Sequence, residues 1–458
     1  MLFNSFAFIG FFAATFGVVH SLPVKNRWIA LLIASYIFYA YAGIGLAVLL
    51  LSFTFVQYCA ALCIAKQQTL RRKKLFLVVS IAIAVLFLGF FKYAGFFQFE
   101  GIVLPMGISF YTFQILAYII DVYRGDIKPE KHFARFAVFV SFFPQLIAGP
   151  IERAKDLMPQ LQKPEKFDYL TAVSGLQLLL WGFFKKLVIA DHISLLIDRF
   201  FLKPELVVGW HIPIIAILFF FQIYCDFSGY VDIAIGSARL LGIKLSQNFN
   251  LPYLSISVRD FWHRWHITLS QWFKDYLYIP LGGNRVAWWR WYANILIIFF
   301  ISGLWHGANW TFVLWGLLHG IWICLEVTVA KIYNFVFQKV RFMHTVLFVR
   351  IIPWCITMLF ICYSFLLFRS ESLELFFDLF REPFRLQMWQ ITYFHNTDIK
   401  AFDMNVVLSA IAFLLCYEMY IAKRHVPLKL QWVLVTLFLM CICNFGIAQE
   451  KEFIYFRF

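Results

Sequence analysis

Charge is what this sequence has least of. Charged residues make up 14% of its 458 positions, and only 25 of them are acidic. Soluble domains carry about 25% charged residues, so the composition excludes a soluble multidomain protein. Short alternating strands with turn signals every ten or so residues are also missing, which excludes a transmembrane β-barrel. The nine cysteines are Cys59, Cys63, Cys225, Cys324, Cys355, Cys362, Cys416, Cys441 and Cys443. None stands in a CxxC pair or a Cys/His zinc spacing, so neither a disulfide framework nor a metal site is expected. A phosphate-cradling Gly-rich loop and a dinucleotide fingerprint are absent. So is a Gly-x-Ser-x-Gly elbow, which leaves serine-nucleophile chemistry without support.

What the sequence has in abundance is apolar length: 62% of its residues are hydrophobic. Apolar runs appear near 6–19, 28–42, 44–65, 75–97 and 102–120. Others follow near 171–190, 212–240, 292–304, 309–330, 345–368, 404–421 and 431–447. The first run lacks a basic flank and a small-residue cleavage site, so a retained helix is expected there. The expectation is an all-α polytopic membrane protein, one domain over 1–458, with roughly ten to thirteen transmembrane and re-entrant helices.

The net charge is +15. Because the basic residues lie in loops between apolar runs, they are expected to set topology, not to bind nucleic acid. The loop Lys66–Lys74 carries five positive charges and is expected on the cytoplasmic side. Counting spans from it places both chain ends outside the cytoplasm and 121–131 inside. That agrees with Arg124, Lys128 and Lys131 in the latter loop. Residues 132–170 are too mixed for two crossings and suggest a re-entrant or surface-lying helix pair. The hydrophilic stretch 369–402 is expected as an outer loop, the basic stretch 423–429 as an inner one.

Titratable groups are costly in lipid, so a cluster of them is a functional-site hypothesis by default. Residues 259–319 hold such a cluster. Arg259-Asp260-Phe261-Trp262-His263-Arg264-Trp265-His266 opens it, and Trp305-His306-Gly307-Ala308-Asn309-Trp310 and His319-Gly320 close it. Histidine changes charge near neutral pH and can take a proton from an attacking hydroxyl. Gly303 and Gly307 are expected to let backbone approach a substrate beside His306. The three-residue spacing of His263 and His266 predicts one shared helical face. His319 reads as a packing group or as one that supports a site residue from behind. Across 244–291, six tryptophans interleaved with arginine and lysine suggest a membrane interface, and Leu281-Gly282-Gly283-Asn284 reads as a turn. In Tyr224–Asp232, Asp226 and Asp232 read as buried hydrogen-bonding groups, and Ser228 and Gly229 as permitting close helix approach.

These stretches resemble the membrane-bound O-acyltransferase superfamily, in its bacterial branch of alginate and peptidoglycan O-acetylation proteins. Teichoic-acid D-alanylation proteins are more distantly similar. The resemblance is carried by Leu104–Gln114, Phe142–Pro150, Tyr224–Tyr230, Phe261–Asn284, Ser302–Gly320 and Phe453–Phe458. It implies a helical bundle with a central tunnel, in which an acyl thioester enters from the cytoplasm and an acceptor from outside. It implies acetyl-CoA as donor substrate, with no bound cofactor, and an O-acetyltransferase activity. The family histidine falls on His306, as general base. The second functional histidine falls on His266, positioning a group or stabilising developing charge.

Arg259, Arg264 and Lys274 are candidates for the anionic part of CoA, each with an equal reading as an interfacial anchor. Trp305 and Asn309, flanking His306, complete the expected substrate-contacting set. The resemblance further implies a bacterial inner-membrane location, an extracytoplasmic polysaccharide as final acceptor, and a periplasmic SGNH-type O-acetyltransferase as partner. Alternative readings are an acyl-group transporter, or a scaffold for that periplasmic enzyme, with no chemistry of its own.

Overall fold

Apolar stretches in lipid fold as helices because each backbone N–H and C=O must find a partner within its own segment. The computed structural model follows that rule. It describes residues 1–93, 103–202, 209, 211–337, 346–382, 401–424, 426–447 and 451–454. Among the described residues, eight helices are long and apolar enough to cross a bilayer. Two of them, Tyr169–Asp198 and His211–Leu240, have 30 residues each, or about 45 Å at 1.5 Å per residue. Among the described residues there is no extended sheet, only an isolated antiparallel bridge between Phe249 and Trp265. The all-α polytopic expectation holds, and the expected runs correspond to helices such as Ile44–Lys66, Leu70–Tyr93 and Leu428–Phe445.

The region 132–170 contains only short helices, Phe133–Ser141, Phe143–Leu146 and Ala154–Gln162. None is long enough to cross, as its mixed polarity suggested. The stretch 369–402 is not simply a loop. It holds the helix Leu373–Arg381, capped by the Ser372 hydroxyl, which accepts from Leu375 N. Charge and apolarity alternate there at helical spacing, a pattern masked by the polarity of the whole stretch. Residues 383–400 of that stretch and the last four of the Phe453–Phe458 motif lie outside the described residues.

The chain packs as two compact units. The first comprises Met1–Phe184, Phe227–Gln247 and Val426–Arg457. Its motifs Leu104–Gln114 and Phe142–Pro150 meet there. Gln114 Nε2 donates to Phe139 O at 2.8 Å, and Gln145 donates to Gln114. Gly107 has φ 75°, and a side chain there would collide with the Leu146 carbonyl. These motifs thus build a close-packed polar core, since buried amides need partners. Gly229 contributes as expected: its carbonyl lies where a side chain on Gly182 would have to go, so the helices Tyr169–Phe183 and His211–Leu240 approach closely.

Glu152, also in the first unit, is buried and accepts from Ser246 N at 2.6 Å and Ser246 Oγ at 3.0 Å. Burial pushes its pKa up to about 7, against the lowering effect of the two Ser246 donors. The folded state therefore holds its proton to higher pH than the unfolded chain. Stability should fall as pH rises from about 4.5 to about 7, then level off. In Glu152→Gln that part of the slope should vanish. Thermal midpoints of the solubilised protein across this range would show it, and an unchanged slope would contradict it.

The second unit comprises Lys185–Asp226, Asn248–His425 and Phe458. It contains the whole of the 259–319 region. A buried charge cluster stands in it. Lys186 Nζ lies 2.7 Å from Asp226 Oδ1 and 3.0 Å from Asp191 Oδ1. Lys185 Nζ lies 3.6 Å from Glu418 Oε1. Tyr224 and Tyr253 both donate to Glu418 Oε2, at 2.7 and 3.1 Å. Asp226 thus has the buried structural role its position suggested. Both lysines lie in a π-helical turn, Phe184–Ala190, a distortion common near functional sites.

Candidate functional site

The site is assembled from a loop and a helix hairpin. The loop starts at Asn248, where a short extended segment pairs with the chain around His266. Asn250 N donates to Arg264 O at 2.9 Å, and Ile267 N donates to Asn248 O at 3.0 Å. Between them runs the helix Val258–Arg264. Its start is doubly capped. The Ser257 hydroxyl accepts from Asp260 N at 2.9 Å. Glu326 accepts from Val258 N at 2.6 Å and from Arg259 N at 3.3 Å, satisfying donors that a helix start leaves open.

The helix stops at Arg264, and this corrects the shared-face reading of His263 and His266. His266 adopts the left-handed region, φ 45° and ψ 53°, just before the helix Ile267–Phe273. That conformation costs a non-glycine residue about 1–2 kcal/mol and is typical of functional positions. It turns the His266 ring inward, where 1% of the residue is exposed, while His263 stays exposed. Burial pushes the His266 pKa down to about 3, so the ring is neutral at physiological pH.

The hairpin consists of the helices Trp288–His306 and Trp310–Phe337. Here too the structure corrects an expectation. A side chain at Gly303 would collide with the Phe312 carbonyl, and one at Gly307 with the Phe312 ring. These glycines let the two helices close on each other; they do not make room for a substrate. Gly316 does the same against the Phe299 carbonyl. The Leu281–Asn284 turn forms as expected, with Gly282 at φ 101° and Gly283 at φ 55°.

His306 is the last residue of its helix and is 5% exposed. Three rings enclose it: Trp305 at 4.8 Å, Trp315 at 5.0 Å and Phe368 at 5.0 Å between centroids. The carbonyl end of a helix favours positive charge, which suits a base that gains a proton. The Trp305 ring also lies 6.1 Å from that of His266. The two histidine stretches, 40 residues apart in sequence, therefore meet with Trp305 between them.

The other predicted residues divide. Arg259 and Lys274 are exposed. Arg264 is engaged within the protein: Nε donates to Asp260 Oδ1 at 2.8 Å and Nη1 to Asn250 O at 3.3 Å. Asn309 uses both ends of its amide locally. Its oxygen accepts from Thr311 N at 3.1 Å, and its nitrogen donates to Glu371 O at 2.9 Å, so it caps the second helix of the hairpin. Of the tryptophans read as interfacial, Trp288 and Trp289 are 71% and 61% exposed, whereas Trp265 and Trp272 are core residues.

His319 is a packing group, as expected. Trp262 Nε1 donates to its Nδ1 at 3.2 Å, so its proton sits on Nε2, 3.0 Å from Ser364 Oγ. That hydroxyl donates onward to Ile361 O. Sequence reasoning missed Asn248, Trp315, Glu326 and Phe368. Only Glu326, a lone carboxylate in an apolar run, stands out in the sequence as a group that needs partners.

With this geometry in place, comparison with known proteins is direct. Residues 129–370 match the family described as MBOAT, membrane-bound O-acyltransferase family. The chain belongs to this family and is an acyltransferase. It is 35% identical to the probable alginate O-acetylase AlgI of Pseudomonas aeruginosa, over 90% of this chain and 80% of that protein. It is 38% identical to the peptidoglycan O-acetyltransferase of Helicobacter pylori, over 75% of this chain and 71% of that protein. Similarity to the teichoic acid D-alanyltransferase of Bacillus subtilis is lower, 28% over 58% of this chain and 69% of that protein.

Proposed function

We propose that this chain takes an acetyl group from cytoplasmic acetyl-CoA and passes it across the bacterial inner membrane for O-acetylation of an extracytoplasmic polysaccharide. In this reading the whole chain, 1–458, acts as one membrane domain with a central tunnel and with both ends in the periplasm. The observation that carries the proposal is the convergence of His266 and His306 on Trp305, in a buried aromatic setting. Similarity to alginate and peptidoglycan O-acetylating proteins supports the substrate class.

His306 acts as general base. It takes the proton of an acceptor hydroxyl as the oxygen bonds to the thioester carbonyl carbon. The tetrahedral adduct collapses, the carbon–sulfur bond breaks, and the CoA sulfur leaves with the proton returned by His306. Acceptor O–H and thioester become O-acyl ester and thiol, so atoms and charge balance. Arg259 and Lys274 are placed to attract CoA phosphates, and Arg264 contributes at close range while it braces the loop. A periplasmic SGNH-type enzyme receives the group and completes transfer to the polysaccharide.

The test is CoA release from acetyl-CoA by the purified chain in nanodiscs, with and without a polysaccharide oligomer or the periplasmic partner. Thiol release that depends on an acceptor supports the proposal. An acetyl-CoA-saturated chain that releases no thiol under any of these conditions refutes it and favours transport or scaffolding.

A further inference from the structure

We infer that Asn248 and Thr268 hold His266 as the neutral tautomer with its proton on Nδ1, so that Nε2 meets the reactants as a hydrogen-bond acceptor. The inference rests on the reading that His266 lines the acyl-transfer site, and it assigns that residue its part there.

One group beside His266 has a fixed polarity. The backbone N–H of Thr268 can only donate, and it lies 3.0 Å from Asn248 Oδ1. That contact fixes which end of the Asn248 amide points here: it is the oxygen. The Thr268 hydroxyl donates to the same atom, also at 3.0 Å. An amide oxygen only accepts. His266 Nδ1, 3.3 Å from it, must therefore donate. A neutral imidazole carries one proton, so its other nitrogen, Nε2, bears the lone pair.

Asn248 is suited to enforce this. It is 0% exposed, and its backbone carbonyl is bonded to Ile267 N on the other side of His266. The left-handed backbone of His266 is what brings its ring onto the Asn248 amide, since a helical continuation from Arg264 would carry the ring elsewhere. His319, in the same unit, shows the opposite tautomer, set by Trp262 and Ser364. His266 and His319 are thus wired differently.

The consequence is a division of labour. The one proton of the attacking hydroxyl goes to His306, so Nε2 of His266 accepts from another donor on the reactants, such as an amide N–H of the pantetheine arm of acetyl-CoA, and orients that molecule. Nε2 cannot donate to the carbonyl oxygen as negative charge develops there. Asn248 is a positioning residue in this scheme, acting through His266.

The test reads the ring nitrogens directly. The full chain, labelled with ¹⁵N-histidine and held in nanodiscs without substrate, is compared with His266→Gln to assign the His266 signals. Through-bond nitrogen–carbon correlations then tell Nδ1 from Nε2. The expected spectrum has a protonated Nδ1 and an unprotonated Nε2. Asn248→Leu, of similar size but with no acceptor, should lose this pattern and give a mixture of tautomers. Asn248→Asp, which keeps the acceptor, should retain it. A native spectrum with the proton on Nε2, or an Asn248→Leu spectrum like the native one, overturns the inference. Because no substrate is present, a chain that shows the pattern yet releases no CoA refutes the acyl-transfer reading and leaves the tautomer assignment standing.

Discussion

Replacing His306 with alanine should lower acyl transfer by about 10²–10⁴-fold, the usual contribution of a positioned general base. In barrier terms that is about 3–5 kcal/mol. The rings of Trp305, Trp315 and Phe368 surround His306, so alanine would also leave a cavity. His306→Phe is the cleaner partner variant, because it fills much of the space without a basic nitrogen. Both variants should release CoA at the reduced rate, with His306→Ala unfolding at a lower temperature and His306→Phe near the native value. A folded His306→Phe chain with native turnover would remove His306 from the chemistry. His319→Ala should behave differently. Its ring joins three elements, through Trp262 and Ser364, so its loss should show first as lowered stability.

The second large effect is expected far from the histidines in sequence. In Lys186→Met, Asp191 and Asp226 would lose the cation between them. The three side chains are 1%, 3% and 5% exposed, so little water can compensate. Breaking a buried ion pair in this way costs about 3–5 kcal/mol, a large part of the about 5–15 kcal/mol that holds a typical protein folded. The variant should yield little monodisperse protein on solubilisation. Adding Asp191→Asn and Asp226→Asn to it removes the stranded charges and should recover much of the yield. A single variant as stable as the native chain would show that the lysine is not what neutralises these carboxylates.

The helices were legible in the sequence because lipid leaves the backbone few alternatives, and apolar length alone locates them. The charge triad was not. Lys186 and Asp226 are 40 residues apart and sit inside runs whose average is apolar; Glu418 meets Tyr224 and Tyr253 from still farther away. Such pairings depend on packing, which no local window records. At the candidate site, the structure brings the two histidine motifs together, but spacing misplaced His263. A period of three assumes an unbroken helix, and the chain leaves the helix at Trp265. Gly303 and Gly307 misled in the same way: glycine signals close approach without saying to what. Asn248 carried no signal at all, since an asparagine between Gln247 and Phe249 looks like any loop residue.

The left-handed backbone at His266 has an evolutionary consequence. Glycine and asparagine tolerate that conformation far better than histidine does, and either is one substitution away in protein space. A laboratory selection for heat resistance alone would be drawn towards them at this position, since natural sequences rarely sit at their stability optimum. With His266 in the part inferred above, survivors of such a selection would be sturdier and slower at acyl transfer. Persistence of histidine in a population under heat would then report continuing demand for the reaction itself.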